Sequence, residues 1–263
     1  LAAFTRPPGP RMLLSDSQID ALDERMNQNI TISAANCMAS RQCANALLNE
    51  RYSWRGYEQV HLPTLESMTH LPLTASQDGE VIGTLTLAID SPAGLNCDRA
   101  FGEEVDYLRA KGAKLCEFTK LAVDSSFGND QVLAAMFHVA YLAADSLADC
   151  DTLLMEVNPR HVRYYVRMLG AQVIGGQRSN ASVNAPAVLL SMAFSDVRRR
   201  IDERAGNPRP AGEGRSLYSL FFSRDEERAI VSRFPDRMSC GDTGSSFGFR
   251  LPQAHVEAAP VHH

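Results

Sequence analysis

The sequence lacks the patterns that identify several common classes of protein. None of its six cysteines belongs to a Cys-x-x-Cys pair, which argues against a zinc ribbon or a thioredoxin-like site, and we predict no metal. There is no run of about 18 apolar residues, so we expect no membrane-spanning helix. Residues 1–8 contain no signal-peptide core, and reduced thiols in a cytoplasmic protein are the simplest interpretation.

Positive charge is also scarce. Lys and Arg number 26 against 31 Asp and Glu, and the formal net charge is −5 at pH 7. Such a balance argues against a general nucleic-acid-binding protein, because affinity for phosphates depends on a positive surface. Hydrophobic residues make up 44% of the 263 positions, which is enough to bury the core of one large domain or of one domain with extensions.

The clearest secondary-structure pattern lies between residues 115 and 157. Residues 115–123 and 153–157 are apolar strands, and residues 131–149 between them carry one apolar face at helical spacing. A strand, a helix and a second strand predict a parallel crossover. Ligands bind in such sheets where neighbouring strands part. The polar residues at the ends of the two strands are therefore the first candidates for a functional site.

The pattern along the chain predicts three regions. Residues 1–50 form a helical extension with a helix over 34–51, and residues 51–194 form the core. Residues 195–263 form a second helical extension with a loose tail, and residues 216–238 within it are a predicted helix. Three interpretations of this last region stay open: a lid, a homodimer contact or a loosely attached segment.

Four segments within residues 51–194 carry a resemblance to a known family. The segments are 90–95, 116–124, 158–165 and 183–190. In order and spacing they resemble the long-chain N-acyl amino acid synthases, relatives of the acyl-homoserine-lactone synthases within the Gcn5-related N-acyltransferase superfamily. The resemblance implies an α+β or α/β fold with a mixed central sheet, flanked by helices, in which two parallel strands splay apart.

The resemblance also implies an activity. Proteins of this family are acyltransferases that move a long-chain fatty acyl group from acyl carrier protein to the α-amine of an amino acid, with no bound cofactor. The acyl-phosphopantetheine arm of the donor would lie between the splayed strands and extend the sheet. Acyl-CoA is the alternative donor. Three other functions stay open: acyl-homoserine lactone synthesis, CoA-dependent N-acetylation, and a catalytically idle module that binds an acyl chain or a carrier protein.

The loop at residues 125–131 favours the carrier protein over CoA. Acetyl-CoA-dependent members of the superfamily carry a basic, glycine-rich loop whose amides cradle a pyrophosphate at a helix N-terminus. Here the loop has one glycine, no basic residue and an aspartate. Phe127 and Gly128 are assigned to donor binding, while Asn129 or Asp130 suits a helix N-cap.

Glu117 is the candidate general base. An amine attacks a thioester only when it is neutral, so a carboxylate must take its proton. Glu117 lies in an apolar strand, where burial would raise its pKa, and the alternative is that it faces solvent. Strand alternation places Leu115, Glu117, Thr119 and Leu121 on one face and Cys116, Phe118, Lys120 and Ala122 on the other. Glu156 in the second strand is the alternative base.

Further candidates surround these strands. The family has Ser-Arg where this chain has Thr119-Lys120, and a lysine offers a point charge instead of a fork, which weakens a role in gripping the acceptor's carboxylate. Tyr165, with Tyr164 as the alternative, would protonate the departing thiolate. His161 is a candidate acid or base, although a lone histidine there also suits a surface position. Asn158 could bind the pantetheine amides or cap the helix that starts at Pro159.

The remaining candidates concern binding. Residues assigned to the substrate or acyl donor are Thr119, Lys120, Leu121, Val123, Asn158, Trp54, Arg55, Tyr57, Phe127 and Gly128. Residues assigned to docking an acidic carrier protein are Arg160, Arg163, Arg167 and Lys114, with residues 198–200 as a second basic patch. An ordinary solvated surface is the alternative for each charged set, and an aromatic cluster at the edge of the core is the alternative for residues 52–57.

Overall fold

The computed structural model describes the chain at residues 30–53, 60–64, 67–124, 130–180, 185–206, 215–234 and 249–250. These residues belong to one compact unit, Ile30–Leu251. Five predicted site residues lie outside the described residues: Trp54, Arg55, Tyr57, Phe127 and Gly128.

In the part of the chain that the structure describes, eight strands form one mixed sheet. They are β1 (Ile30–Ala34), β2 (His70–Gln77), β3 (Glu80–Ile89), β4 (Leu115–Val123), β5 (Thr152–Val157), β6 (Gln172–Asn180), β7 (Ala185–Ala193) and β8 (Phe249–Arg250). The order across the sheet is β6-β7-β5-β4-β3-β2-β1-β8. The pair β4–β5 is parallel, and the other pairs whose register is described are antiparallel. This mixed sheet confirms the predicted fold class.

Helices cover both faces of the sheet. They are α1 (Met38–Ser53), α2 (Asp98–Ala110), α3 (Asp130–Ala148), α4 (Pro159–Leu169), α5 (Phe194–Arg204) and α6 (Arg224–Val231), with a 3-10 turn at Tyr218–Leu220. Alternate residues of β4 separate the two faces. Leu115 packs with Phe101 and Val105 of α2, whereas Cys116 and Phe118 pack with the apolar face of α3.

Helix α3 has the length and apolar composition of a membrane span, but most of it is buried inside the protein. That burial is what the central helix of a packed core requires. Its alanines and most of its larger apolar side chains belong to the main hydrophobic cluster beneath the sheet, whereas Leu147 near its end is exposed.

The parallel strands β4 and β5 part soon after they begin. They pair over three positions, from Leu115↔Thr152 to Glu117↔Leu154. Beyond this point β4 continues to pair with β3 as far as Val123, and β5 continues to pair with β7 as far as Val157. The two strands therefore diverge from Glu117 onward, as the resemblance implies, and leave a gap in the middle of the sheet.

A β-bulge interrupts β4 inside this gap. Thr84 pairs with Ala122 and Thr86 pairs with Thr119, so one residue of β3 faces two of β4. Lys120 has φ of 52°, in the left-handed region that residues with a side chain rarely occupy. The extra residue resets the alternation, and Leu121 packs against the same cluster as Phe118. The predicted common face of Glu117 and Leu121 is therefore wrong.

The C-terminal extension contributes to the core. Residues 215–234 bury Leu217, Tyr218, Phe221 and Ile230 in the main cluster. The predicted continuous helix over 216–238 is wrong, because a 3-10 turn and α6 share the described part of it. Ser223 and Glu226 form a capping box that starts α6 and so breaks the run.

The outer edge of the sheet also differs from the sequence prediction. Residues 30–34, before the predicted helix, form β1, which pairs with β2 from Ile30↔Gln77 to Ala34↔Leu73. The tail is not loose throughout, since Phe249 and Arg250 pair with Ile32 and Thr31 as β8.

Candidate active site

A cavity of about 680 Å³ opens where β4 and β5 part. Residues 117–123 of β4 and residues 155–158 at the end of β5 form its two long walls. Other lining side chains come from α1 (Arg51 and Tyr52), from the start of α2 (Asn96 and Arg99), from α3 (Leu133 and Phe137) and from α4 (His161, Tyr164 and Tyr165). The predicted residues Glu117, Thr119, Lys120, Leu121, Val123, Asn158, His161 and Tyr165 thus come together around one space.

Glu117 is the most deeply placed charged group of this cavity. Its exposed fraction is 1%, so the alternative that it faces solvent is wrong. Its Oε2 accepts a hydrogen bond from the Asn96 backbone N–H at 2.8 Å. Burial raises the pKa of the Glu117 carboxyl to about 7, although the Asn96 hydrogen bond opposes that shift. A carboxyl with this pKa can accept a proton near neutral pH, as a general base must.

Glu156 stands across the gap from Glu117. It lies on β5, is partly buried, and accepts a hydrogen bond from the Asn180 side-chain amide. Burial also raises the pKa of the Glu156 carboxyl. The negative charge of Glu156 contributes to the raised pKa of Glu117, since like charges disfavour each other. The cavity therefore holds two carboxyl groups, and the deeper one titrates near neutrality.

Thr119 and Lys120 follow Glu117 along the wall. Lys120 is half-buried at the bulge, and burial lowers the pKa of its ammonium group, with Glu117 acting in the opposite direction. Its charge in turn helps to lower the pKa of His70 at the start of β2, where burial is the larger cause. The lysine is thus the positive group nearest to the buried carboxylate along β4.

Asn158 caps the helix on the opposite wall. It has an extended backbone (φ −63°, ψ 139°), and its side-chain oxygen accepts from the Arg160 backbone N–H at 3.2 Å. Pro159 occupies the first helical position, where its missing N–H costs nothing. Of the two roles considered for Asn158, capping is therefore observed. Binding of a donor amide stays a prediction, and the residue does line the cavity.

Two adjacent tyrosines of α4 line the cavity. The Tyr164 hydroxyl donates to Asp130 Oδ1 at 3.0 Å, and burial raises its pKa. The Tyr165 ring stands edge-on to Phe137, with ring centroids 6.2 Å apart. The hydroxyl of Tyr164 is thus bound to the first residue of α3, and the role of Tyr165 as proton donor stays a prediction.

His161 lies one turn before these tyrosines. It is partly exposed, and its backbone N–H donates to the Asn158 carbonyl at 2.9 Å in the first turn of α4. It lines the cavity, so a role as acid or base stays a prediction.

Three of the four residues predicted to dock a carrier protein lie on one helix. Arg160, Arg163 and Arg167 are exposed on α4, and no salt bridge joins them to other described residues. Lys114 precedes β4, at the end opposite the cavity, and pairs with Asp149. A docking role for Lys114 and for the three arginines stays a prediction.

The second basic patch is occupied by intramolecular pairs. Arg198 bonds Asp202 and Glu227, Arg199 bonds Asp196 and Glu203, and Arg200 lies over the Tyr218 ring. Arg198 and Arg200 therefore contact the C-terminal segment, Arg199 pairs within its own helix, and a docking role for residues 198–200 stays a prediction.

Several lining residues are not among the predicted ones. Arg51 of α1 bonds Asp124 Oδ1 at 2.7 Å, and Arg99 and Asn180 reach the cavity from α2 and β6. Asn96 directly follows the segment 90–95 that carries part of the family resemblance, which is the one sequence signal that points to this wall. Within the described ranges no group of three or more His, Cys, Asp or Glu could hold a metal ion.

Comparisons with known proteins agree with this geometry. A family model described as "N-acyl amino acid synthase FeeM" matches residues 43–193, more than half of the chain. The solved structure of FeeM, an N-acyl amino acid synthase from uncultured soil microbes, superposes with a TM-score of 0.58 at 22% identity, covering 66% of this chain and 95% of FeeM. No curated protein matches the chain.

More distant structural neighbours have lower scores. The AHL synthase LasI has a TM-score of 0.47 at 15% identity, covering 64% of this chain and 90% of LasI. An acyl-CoA N-acyltransferase from Pseudomonas aeruginosa has a TM-score of 0.43 at 15% identity, covering 63% of this chain and 99% of its own.

Proposed function

Because the chain belongs to the FeeM family of N-acyl amino acid synthases and is an N-acyltransferase, we propose that it moves a long-chain fatty acyl group from acyl carrier protein to the α-amine of an amino acid. One observation carries the proposal most directly. A buried carboxyl with a pKa of about 7, that of Glu117, lies in a cavity between two splayed parallel strands.

Glu117 removes the proton that keeps the acceptor amine inert. The neutral amine attacks the thioester carbonyl carbon, the C–N bond forms, and a tetrahedral intermediate follows. As the intermediate collapses the C–S bond breaks, the Tyr165 hydroxyl protonates the leaving thiolate, and the second proton that the nitrogen loses in becoming an amide passes through solvent to restore that hydroxyl. The proton taken by Glu117 returns to solvent through the open side of the cavity.

The unpaired edges of the strands suit an extended donor arm. Past Glu117, β4 pairs with β3 and not with β5, so its other edge presents backbone N–H and C=O groups to the gap. A pantetheine arm carries two amides and could hydrogen-bond along this edge, in the manner of an added strand. Apolar side chains of Leu85, Leu133 and Phe137 line the same cavity and would contact the acyl chain.

Two charged features support a carrier protein as the donor. Asp130 begins α3, and its carboxylate accepts a hydrogen bond from Tyr164. A helix N-terminus attracts anions such as the pyrophosphate of CoA, but the negative charge of Asp130 at this N-terminus would repel it. The exposed Arg160, Arg163 and Arg167 lie on the helix that begins at the cavity wall. Acyl carrier proteins are acidic, and a basic rim would steer their approach.

The position of the cavity supports the division of the chain into a core and extensions. We assign residues 51–194 to the acyltransferase core, and residues 215–234 support α3 from outside the site, since none of them lines the cavity. The five cysteines in the described ranges form no disulfide, which supports a reducing compartment such as the cytoplasm.

A donor and acceptor panel tests the proposal. The purified chain is incubated with palmitoyl-acyl carrier protein, palmitoyl-CoA or acetyl-CoA as donor, each with a pool of amino acids or with S-adenosylmethionine as acceptor, and the products are identified by mass spectrometry. The expected result is an N-acyl amino acid from the carrier-protein donor. Turnover with S-adenosylmethionine alone would indicate a homoserine lactone synthase, and turnover with acetyl-CoA alone an acetyltransferase. No turnover with any donor would indicate an idle binding module.

A further inference from the structure

One arginine on α2 organises the loop that meets Glu117. Arg109 bonds Asp90 through Nε at 2.8 Å and Nη2 at 2.7 Å, which is a bidentate fork. The same guanidinium bonds both oxygens of Asp98 at 2.8 Å and reaches Asp106 at 2.9 Å. Asp90 follows the end of β3 and Asp98 begins α2, so Arg109 clamps both ends of the loop between them.

The loop itself fits closely around this clamp. Asp98 Oδ2 accepts from the Leu95 backbone N–H at 2.6 Å, one residue before Asn96. Gly94 has φ of 78°, and a side chain at this position would meet Asp98 Oδ2 at 2.6 Å. The backbone N–H of Asp90 donates to the Leu115 carbonyl at 3.1 Å, which ties the loop to the start of β4.

The loop ends on the buried carboxylate. The Asn96 N–H donates to Glu117 Oε2 at 2.8 Å, and the backbone hydrogen bond from Cys97 acts in the same direction on its pKa. A carboxylate that accepts backbone N–H groups is stabilised in its ionised form. Arg109 and the Leu95 N–H thus both donate to Asp98, and the N–H of the next residue donates to Glu117.

We propose that Arg109 is a positioning residue, which holds residues 90–98 so that the Asn96 amide meets Glu117 in the orientation that the reaction needs. Arg109 lines no part of the cavity, so it acts through the loop and not on the substrate. The proposal rests on the proposed function only because it gives Glu117 the role of base. The effect of Arg109 on the pKa of the Glu117 carboxyl does not depend on that function.

Other ionisable groups also influence the pKa of Glu117, and they must be the same in every variant that is compared. Glu156 on β5 raises its pKa and Lys120 on β4 lowers it. Cys97 before α2 and Cys116 on β4 lie close enough for the carboxylate to influence their thiols. Further ionisable residues that line the same cavity are Arg51, His61, Arg99 and His161. None of these is changed by a substitution at Arg109.

Two variants break the clamp at different points. Arg109→Leu removes the fork, and Asp98→Asn keeps the shape of the side chain while removing its charge. Arg178→Leu is the matched control, because Arg178 makes an equivalent bidentate pair with Glu104 on the same helix and does not touch the loop. Arg109→Lys keeps the charge without the fork and should give an intermediate result.

Two readouts are measured on each full-length protein. The first is the titration of the Glu117 carboxyl by 13C NMR, with its resonance assigned by the Glu117→Gln variant. The second is the pH dependence of kcat/KM with acyl-acyl carrier protein. A hydrogen bond to a charged group is worth enough to shift a pKa by about one to two units, so loss of the Asn96 contact should move both midpoints upward by about that amount.

The expected pattern is an upward shift in Arg109→Leu and Asp98→Asn, recovery of kcat/KM at high pH, and no shift in Arg178→Leu. A uniform loss of activity at every pH, with an unmoved Glu117 titration, would overturn the positioning role. If the Glu117 titration shifts in Arg109→Leu but the wild-type protein shows no acyltransferase activity, the effect of the loop on Glu117 is upheld and the proposed function is contradicted.

Discussion

Replacing Glu117 by glutamine should stabilise the protein much more at pH 8 than at pH 5. Burial raises the pKa of this carboxyl from 4.5 to about 7. A folded state that binds a proton more tightly than the unfolded chain has its full stability below the unfolded pKa, and loses stability as the pH rises through the folded pKa. The destabilising contribution of Glu117 therefore grows between about pH 4.5 and pH 7.

The shift sets the size of the effect. At 1.36 kcal/mol for each pKa unit, the raised pKa of Glu117 lowers the free energy of unfolding by about 3 kcal/mol at pH 8. At pH 5 the carboxyl is mostly protonated in the folded state, and the free energy of unfolding is lowered by about 1 kcal/mol. Glutamine carries no charge at either pH, and its side-chain oxygen can still accept from the Asn96 N–H. The variant should therefore gain about 2 kcal/mol more at pH 8 than at pH 5.

Urea unfolding of both proteins at the two pH values measures this difference. Glu103→Gln, at an exposed position of α2, is the control and should change stability equally at both pH values. If Glu117→Gln changes stability by the same amount at pH 5 and pH 8, the carboxyl is not held protonated in the folded protein. The account of Glu117 as a base poised near neutrality would then be wrong.

Three further predictions concern other parts of the structure. Tyr165→Phe should lower kcat about 10-fold to 100-fold while Tyr164→Phe mainly lowers the melting temperature, because the hydroxyl of Tyr164 bonds Asp130; equal kcat losses would contradict the assignment. Arg163→Glu should raise KM for acyl-acyl carrier protein and weaken its salt dependence, whereas Lys114→Glu should not; similar effects would refute a docking role for α4. Glu227→Gln should cost about 2 kcal/mol in urea unfolding, since this carboxylate bonds a buried histidine and Arg198; an unchanged midpoint would refute it.

The sequence predicts the centre of the site well, because local patterns determine it. Glu117 lies between apolar residues in the first half of β4, and strand alternation is enough to place it on the face opposite Phe118. The crossover from β4 to β5 also follows from one long apolar helix between two apolar strands. These features depend on neighbours in the chain, and such features can be predicted from one sequence.

Features that depend on pairing between distant strands are harder to predict. The bulge at Lys120 follows from the register of β4 against β3, and no local residue pattern announces it. The clamp at Arg109 joins residues up to 19 positions apart through an α-helix and a loop, which only the folded structure brings together.

The short outer strands show the same limit. Strand β1 has five residues and β8 has two, and each is a strand only because the other elements offer it a partner. Likewise, the burial of Leu217, Tyr218, Phe221 and Phe222 depends on the surface of α3, where the Phe222 N–H donates to His138 Nδ1 at 2.9 Å. The apolar spacing of these residues is compatible with a helix, but their packing against α3 favours a 3-10 turn.

Single-turnover acylation by Glu117→Gln tests the central claim most directly. The wild-type protein and the variant are mixed with acyl-acyl carrier protein and the best acceptor from the panel, and product is followed by mass spectrometry while carrier binding is titrated separately. We predict a rate about 100-fold to 10,000-fold lower with unchanged carrier binding, because a general base contributes on that scale. A variant that forms N-acyl product at the wild-type rate would contradict the account.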